Sequence, residues 1–161
     1  MGSISVKQNL IENYSILNTI CEIVSLQVFA LKAGKKIMFV GNGGSAADAQ
    51  HLSTEYVSKL KKNREPLAAL ALSTDTSALT AIGNDYGFEQ LFARQVRALG
   101  NPGDVLVGIS TSGNSKNVCK AFEVAKQMGI HVVGFLGADP GLCTGIIDLG
   151  IHVPSVDTAH I

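Results

Sequence analysis

The chain has no imbalance of charge: across its 161 residues, 13 lysines and arginines stand against 13 aspartates and glutamates. It therefore carries no electrostatic footprint for nucleic acid or an anionic membrane, and neither is expected as a partner. It has no apolar run of the roughly 18 residues that a bilayer span needs. No basic segment followed by an apolar one opens it, so no signal peptide is expected. Cysteine is scarce and unpatterned, since Cys21, Cys119 and Cys143 are odd in number and form no Cys-x-x-Cys. They are expected to be reduced, structural thiols in a cytoplasmic protein. Also missing is any Gly-x-x-x-x-Gly-Lys-Ser/Thr loop, which argues against an ATP enzyme of the P-loop type. The glycine cluster at 41–44 misses the dinucleotide spacing too, because Ala46 stands where the third glycine belongs. Alanine does occur at that last position, but a NAD enzyme is disfavoured.

What the chain does have is a high hydrophobic content, 46%, over a length that fits one domain with a real core. Its most informative stretch runs from Lys35 to Tyr56. Ile37 to Val40 is a short apolar run suited to a buried parallel strand. Gly41-Asn42-Gly43-Gly44-Ser45 breaks it, and helical periodicity resumes at Ala46. A strand, a glycine loop and a helix N-terminus together form an anion cradle: the backbone approaches closely, N–H groups point outward, and the helix dipole favours negative charge. On that helix Asp48, His51, Glu55 and Lys59 follow at steps of 3, 4 and 4, on one face. An imidazole and a carboxylate one turn apart fit a catalytic or metal site. By spacing alone, a solvated polar face accounts for them equally well.

Before this unit, residues from about 5 to 33 read as one long helix. Leu10, Tyr14, Leu17, Cys21, Val24, Val28 and Leu31 form one apolar stripe, and Ile16, Ile20, Ile23 and Ala30 a second. Two stripes imply burial on two sides, either between subunits or wholly within one domain; the oligomer is the favoured reading. Gly34 is placed to end the helix.

After it, Lys59 to Glu65 reads as a solvated charged connection and Leu67 to Leu72 as a second strand. Ser73 to Ser77 can cap a short helix reaching about Ile82. Gly83-Asn84-Asp85-Tyr86-Gly87 reads as a loop, with Asn84 and Asp85 either turn formers or ligand contacts. A helix is expected from Glu89 to Leu99 and a third strand from Val105 to Ile109. That strand runs into Ser110-Thr111-Ser112-Gly113-Asn114-Ser115 and a helix from about Lys116 to Met128. The serine loop either caps that helix or holds a phosphate. Two such loops at strand ends favour the ligand, which open α/β sheets bind at that edge. His131 to Leu136 and about Asp148 to Val153 complete the strands, with His131 and His152 read as edge or core histidines. Asp157 and Thr158 look like a helix start. The alternation predicts a parallel five-stranded sheet with helices on both faces, an α/β/α three-layer sandwich.

The segments GNGGSAADAQH at 41–51, Glu55, LSTDTSALTAIGNDYGFE at 72–89, ISTSGNS at 109–115 and VPSVDTAHI at 153–161 resemble the phosphoheptose isomerases, members of the sugar isomerase (SIS) domain superfamily. The resemblance implies a single SIS domain over 1–161 with flavodoxin-like strand order, comprising an oligomerisation helix at 1–34 and a phosphosugar-binding core at 35–161. It further implies a cytoplasmic homotetramer interconverting sedoheptulose 7-phosphate and D-glycero-D-manno-heptose 7-phosphate, which begins the supply of activated heptose for bacterial surface polysaccharide. By the same resemblance Ser110, Thr111, Ser112 and Ser115 would hold the phosphate. Asn42, Gly43, Gly44, Asn84 and Asp85 would meet the sugar, with Ser45 nearby. Glu55 would act as acid and base, and His51 with Glu55 would ligate a zinc ion. The family's remaining ligands, a glutamine and a histidine, lie on a helix that would follow Ile161. His160 and Lys59 stand where relatives often have arginine. Two rivals share the fold: a phosphosugar sensor, and a scaffold associating with the bacterial replication initiator. The His51 and Glu55 pair favours the enzyme.

Overall fold

The computed structural model describes residues 2–139 and 141–161. Two N-terminal helices, α1 (Ser3–Glu12) and α2 (Tyr14–Lys32), precede β1 (Ile37–Gly41) and α3 (Gly44–Val57). Then come β2 (Ala69–Ala71), α4 (Thr76–Tyr86), a 3₁₀ turn at Phe88–Gln90, α5 (Leu91–Leu99), β3 (Val105–Ser110) and α6 (Lys116–Gln127). Finally β4 (His131–Leu136) and β5 (Leu149–His152) are separated by a 3₁₀ turn at Leu142–Gly145, and another closes the chain at Thr158–His160. The five strands are all parallel in the order β2-β1-β3-β4-β5, as expected for the flavodoxin-like sandwich.

The period of two along a strand divides the core between the two faces of the sheet. Ile37, Phe39, Val105, Val107 and Val133 join Ile23 and Ala30 of α2 and Ala49 of α3 on one face. Met38, Val40, Leu106 and Val132 pack with Phe92 and Val96 of α5 and Phe122 of α6 on the other. At the N-terminal end of the sheet, buried Asp104 accepts from the Lys36 backbone N–H at 3.0 Å, the Asn101 N–H at 2.8 Å and the Lys36 ammonium at 2.5 Å. Three partners offset the desolvation of the carboxylate and tie the starts of β1 and β3 together.

Several expectations are corrected. The long N-terminal helix is two helices, because Asn13 leaves helical geometry and its Oδ1 accepts from the N–H groups of Ser15 and Ile16; an N-cap inside an apolar pattern is invisible to the stripes. Gly34 follows the C-cap of α2 with φ +72°, as its position suggested. α2 is, by length and average composition, apolar enough for a membrane span, but Asn18, Thr19, Glu22, Ser25 and Gln27 interrupt it, so it holds no unbroken apolar run of that length. Its inner residues Ile23, Gln27 and Ala30 are buried on the domain, while Tyr14, Val24, Val28 and Phe29 stay exposed. Residues 83–86 are not a loop but the last turn of α4, begun by Asp75, whose Oδ1 accepts from the Ala78 N–H at 2.9 Å. The helix expected from Glu89 starts as a 3₁₀ turn. β2 is only three residues long, since Lys59 to Glu65 and the residues beyond it are drawn along the end of α3. Cys119 and Cys143 are not separate thiols. They form a disulfide joining α6 to the 142–145 turn, whereas Cys21 is free and exposed.

Asp148, just before β5, accepts from the Val132 N–H at 2.8 Å and pairs with the Lys126 ammonium. Partial burial raises its pKa, but the Lys126 and Val132 hydrogen bonds and the nearby positive charge outweigh this and hold it below its ordinary 3.8. A carboxylate with a depressed folded pKa contributes stability above its unfolded pKa and loses it as pH falls through the folded one. Asp148→Asn is therefore expected to melt at a lower temperature than wild type at pH 7. The gap should narrow as pH drops below 3.8, read by thermal unfolding between acid and neutral pH.

Candidate active site

In strand order β2-β1-β3-β4-β5 the direction of winding reverses between β1 and β3. The loops leaving those two strands part there and open a crevice at the carboxyl edge of the sheet. A cavity of about 560 Å³ occupies it. From β1 and α3 it receives Asn42, Gly44, Ser45, Asp48, His51 and Leu52. Ile109 and Thr111 come from the end of β3, while Phe135, Leu136, Ile151 and Val153 form an apolar wall from β4 and β5. Thr158 and Ile161 close the side reached by the last residues of the chain.

The glycine loop is shaped by two constraints. Gly43 has φ +55° and ψ −121°, which strains any residue with a Cβ. A Cβ on Gly41 would lie 2.5 Å from the Ser45 carbonyl oxygen, so the first turn of α3 sits directly on the end of β1. Neither Gly43 nor Ser115, the N-caps of α3 and α6, bonds a side chain back to its own helix. The same holds for α1 and α5, whereas α2 and α4 are capped by Asn13 and Asp75. The two helices that begin beside the crevice thus leave first-turn N–H groups for an anion.

In the serine loop, Ser110 is buried and its hydroxyl donates to Ser115 Oγ at 3.0 Å. Ser112 is exposed, its Oγ accepting from the Asn114 N–H at 3.2 Å. The loop is braced from the 142–145 turn: the Leu142 N–H donates to Asn114 Oδ1 and the Cys143 N–H to the Gly113 carbonyl, both at 2.9 Å. The glycine and serine loops are themselves joined. Asn42 and Asn117 exchange two carboxamide hydrogen bonds, each 2.8 Å.

Glu55 lies in the last full turn of α3, one turn beyond His51, with its Oε1 4.0 Å from His51 Nε2. Its Oε2 is buried with no hydrogen-bond partner. A buried carboxylate oxygen left unpaired is costly unless a proton, a cation or a ligand meets it. The pair fits two ligands of a metal such as zinc. Among the described residues no group of three or more His, Cys, Asp and Glu is placed to hold one, so the pair by itself does not make a closed site. The end of α3 is clamped by Arg64, whose guanidinium donates to the carbonyls of Glu55 at 2.6 Å and Tyr56 at 2.8 Å. The Tyr56 hydroxyl donates to Gln27 Oε1 at 2.6 Å, anchoring the same turn to α2. Burial pushes the Tyr56 phenol above its usual pKa, opposed by the nearby Arg64 charge.

Of the residues anticipated for the site, the cavity brings together Asn42, Gly44, Ser45, His51 and Thr111. Gly43, Glu55, Ser110, Ser112 and Ser115 are not among the residues that line it. Asn84 and Asp85 do not reach it; they are exposed on the last turn of α4, the Asn84 amide donating to Asp85 Oδ1 at 2.7 Å. Sequence reasoning missed the apolar wall, whose residues look like ordinary strand core, and Asp48, noted only as part of a helix face. It also missed Asn117 and Arg64, whose roles depend on partners distant along the chain.

The SIS domain family model matches residues 8–137, defining the class of protein to which this fold and crevice belong. More closely, the chain is 48% identical to the phosphoheptose isomerase of Clostridium acetobutylicum over 160 residues, 99% of this chain and 82% of that one. It is 56% identical to the Geotalea daltonii phosphoheptose isomerase over 142 residues, 88% of this chain and 74% of the relative. The solved phosphoheptose isomerase of Neisseria gonorrhoeae superimposes with a TM-score of 0.90 at 46% identity, covering 98% of this chain and 84% of that one. The chain belongs to the phosphoheptose isomerase family of SIS-domain proteins.

The contact of Gly41 with the first turn of α3 yields a direct test. Gly41→Ala is expected to lose about 1–3 kcal/mol or more, because backbone rather than a flexible side-chain tip must move. Urea unfolding checks it, and an unchanged midpoint would contradict the packing described.

Proposed function

We propose that this protein is an aldose–ketose isomerase that interconverts sedoheptulose 7-phosphate and D-glycero-D-manno-heptose 7-phosphate through an enediol. The observation that carries the reading is the unpartnered, buried Oε2 of Glu55 beside His51, which itself lines the cavity. Family membership names the substrate class, and the residues supply the chemistry.

The phosphate binds at the serine loop, where the first N–H groups of α6 and the hydroxyls of Ser110, Thr111, Ser112 and Ser115 are available to an anion once it displaces the Ser110–Ser115 bond. The sugar then extends along the cavity toward Asn42, Gly43, Gly44 and Ser45, with the apolar wall of Phe135 and Ile151 excluding water from one side. Isomerisation moves one proton between C1 and C2 and one between their oxygens, so no co-reactant is consumed. Glu55 takes the carbon-bound proton and returns it to the neighbouring carbon, a task suited to a partly desolvated carboxylate. His51 and Glu55 would hold a zinc ion, which when bound would polarise the carbonyl oxygen and stabilise charge on the enediol. Asn84 and Asp85, remote from the cavity of their own subunit, would meet the sugar only through assembly or movement of α4.

The assembly is a homotetramer working in the cytoplasm, supported by the apolar face of α2 that Tyr14, Val24, Val28 and Phe29 leave uncovered. The product feeds activated-heptose synthesis for bacterial surface polysaccharide.

Turnover of sedoheptulose 7-phosphate tests the reading. Glu55→Gln is expected to lower kcat by about 100-fold or more while inorganic phosphate still competes for the site; activity within about tenfold of wild type would remove the proton-transfer role. Ser110→Ala should raise KM about tenfold with a smaller effect on kcat, the loss of one hydrogen bond to a charged group. His51→Ala should lower zinc bound per chain, measured by elemental analysis, and equal metal content in mutant and wild type would count against its role as a ligand.

A further inference from the structure

We propose that Asn117 is a positioning residue, which orients the carboxamide of Asn42 and so sets how the glycine loop and the serine loop face each other across the cavity. Asn117 is in the first turn of α6 and is 2% exposed. It does not line the cavity, whereas Asn42 does. Each Nδ2 donates to the other's Oδ1 at 2.8 Å, and the two residues are 75 positions apart in the chain.

A carboxamide carries two N–H donors and two acceptor lone pairs, with nitrogen and oxygen at opposite corners. The reciprocal pair uses one donor and one acceptor of Asn42. If Asn42 alone rotated by a half-turn, oxygen would meet oxygen and N–H would meet N–H, turning both part-buried contacts repulsive and leaving four polar groups without a partner. Asn42 therefore cannot turn its carboxamide independently of Asn117, and the pair holds the plane of that amide and its distance from the start of α6. The same pair joins the end of β1 to the start of α6, the helix whose first turn follows Ser110–Ser115. A ligand spanning both loops meets a preset distance instead of two independently moving walls. Orientation of this kind matters to rate, because a misplacement of about 1 Å can cost about 100-fold.

The inference rests on the isomerase reading, in which Asn42 meets the sugar and the serine loop meets the phosphate. The experiment compares wild type, Asn117→Ala, Asn117→Asp, Asn42→Ala and the Asn42→Ala/Asn117→Ala double variant. It measures kcat and KM for sedoheptulose 7-phosphate, the inhibition constant of inorganic phosphate, and thermal unfolding. Asn117→Asp keeps shape and one acceptor but sets an oxygen against Asn42 Oδ1, so it decides the matter even where Asn117→Ala fails to fold.

The expected result is a loss of about tenfold or more in kcat/KM for Asn117→Asp, with phosphate inhibition within about twofold of wild type. The double variant should be no worse than Asn42→Ala alone, the non-additivity of residues acting as one unit. Wild-type kcat/KM in Asn117→Asp, additive losses in the double variant, or phosphate inhibition weakened in step with turnover would each overturn the positioning role. The last would reduce Asn117 to a structural support of α6. A wild type that neither binds nor isomerises the sugar phosphate would overturn the functional reading itself, and this role with it.

Discussion

The pairing of β1 with β3 is the constraint on which the rest of the molecule depends. Residues Ile37 to Gly41 run in register with Val105 to Ile109, although 68 positions separate them. Since the strands are parallel, their N-terminal ends meet at one edge of the sheet and their C-terminal loops at the other. At the first edge the contact is sealed by Asp104 with Lys36 and Asn101. At the second, the chain turns away from β1 into α3 on one face and from β3 into α6 on the other, so the glycine and serine loops part and leave the crevice. Were β1 and β3 not neighbours, those loops would not share a cavity.

Both loops then obey the same local physics. Each brings a helix N-terminus to the carboxyl edge of the sheet without a side chain capping it. Backbone donors that in α2 and α4 are satisfied by Asn13 and Asp75 are here left open to a ligand. The geometry is held by contacts that tolerate little change: Gly41 against Ser45, Asn42 against Asn117, Ser110 against Ser115. The stability forgone at uncapped ends and at the unpaired Glu55 oxygen is supplied by the two apolar clusters that flank the sheet. It is common for a functional site to break local rules that the remainder of the fold satisfies.

The turn of α3 that carries Glu55 is held from two sides. Arg64 donates to its terminal carbonyls and Tyr56 bonds across to Gln27 of α2. This explains why the basic segment after α3, read from its composition as a solvated connection, is partly a structural clamp. It also links the site to α2, the helix that presents an uncovered apolar face.

Elements whose signal is short-range were legible directly. The strand–glycine–helix unit at 37–57, the serine loop, the strands at 105–110 and 131–136 and the Asp75 and Asp157 caps each depend on neighbours in sequence, and alternation of strand and helix predicts the parallel sandwich. Where the local pattern gave one reading, the chain twice decided otherwise: Asn13 capped a second helix inside what read as one long helix, and Gly83 to Tyr86, read as a loop, continued α4. What only the tertiary structure decided are relations between distant residues. They include the disulfide between Cys119 and Cys143, the amide pair of Asn42 and Asn117, the Arg64 clamp, the apolar wall from β4 and β5, and the distance of Asn84 and Asp85 from the cavity. The sequence by itself determined which residues can bind an anion or move a proton, because those capacities belong to the side chains and to local turns. Which of them face one another follows from strand order and packing, whose free energy is shared over the whole core and is written in no single segment.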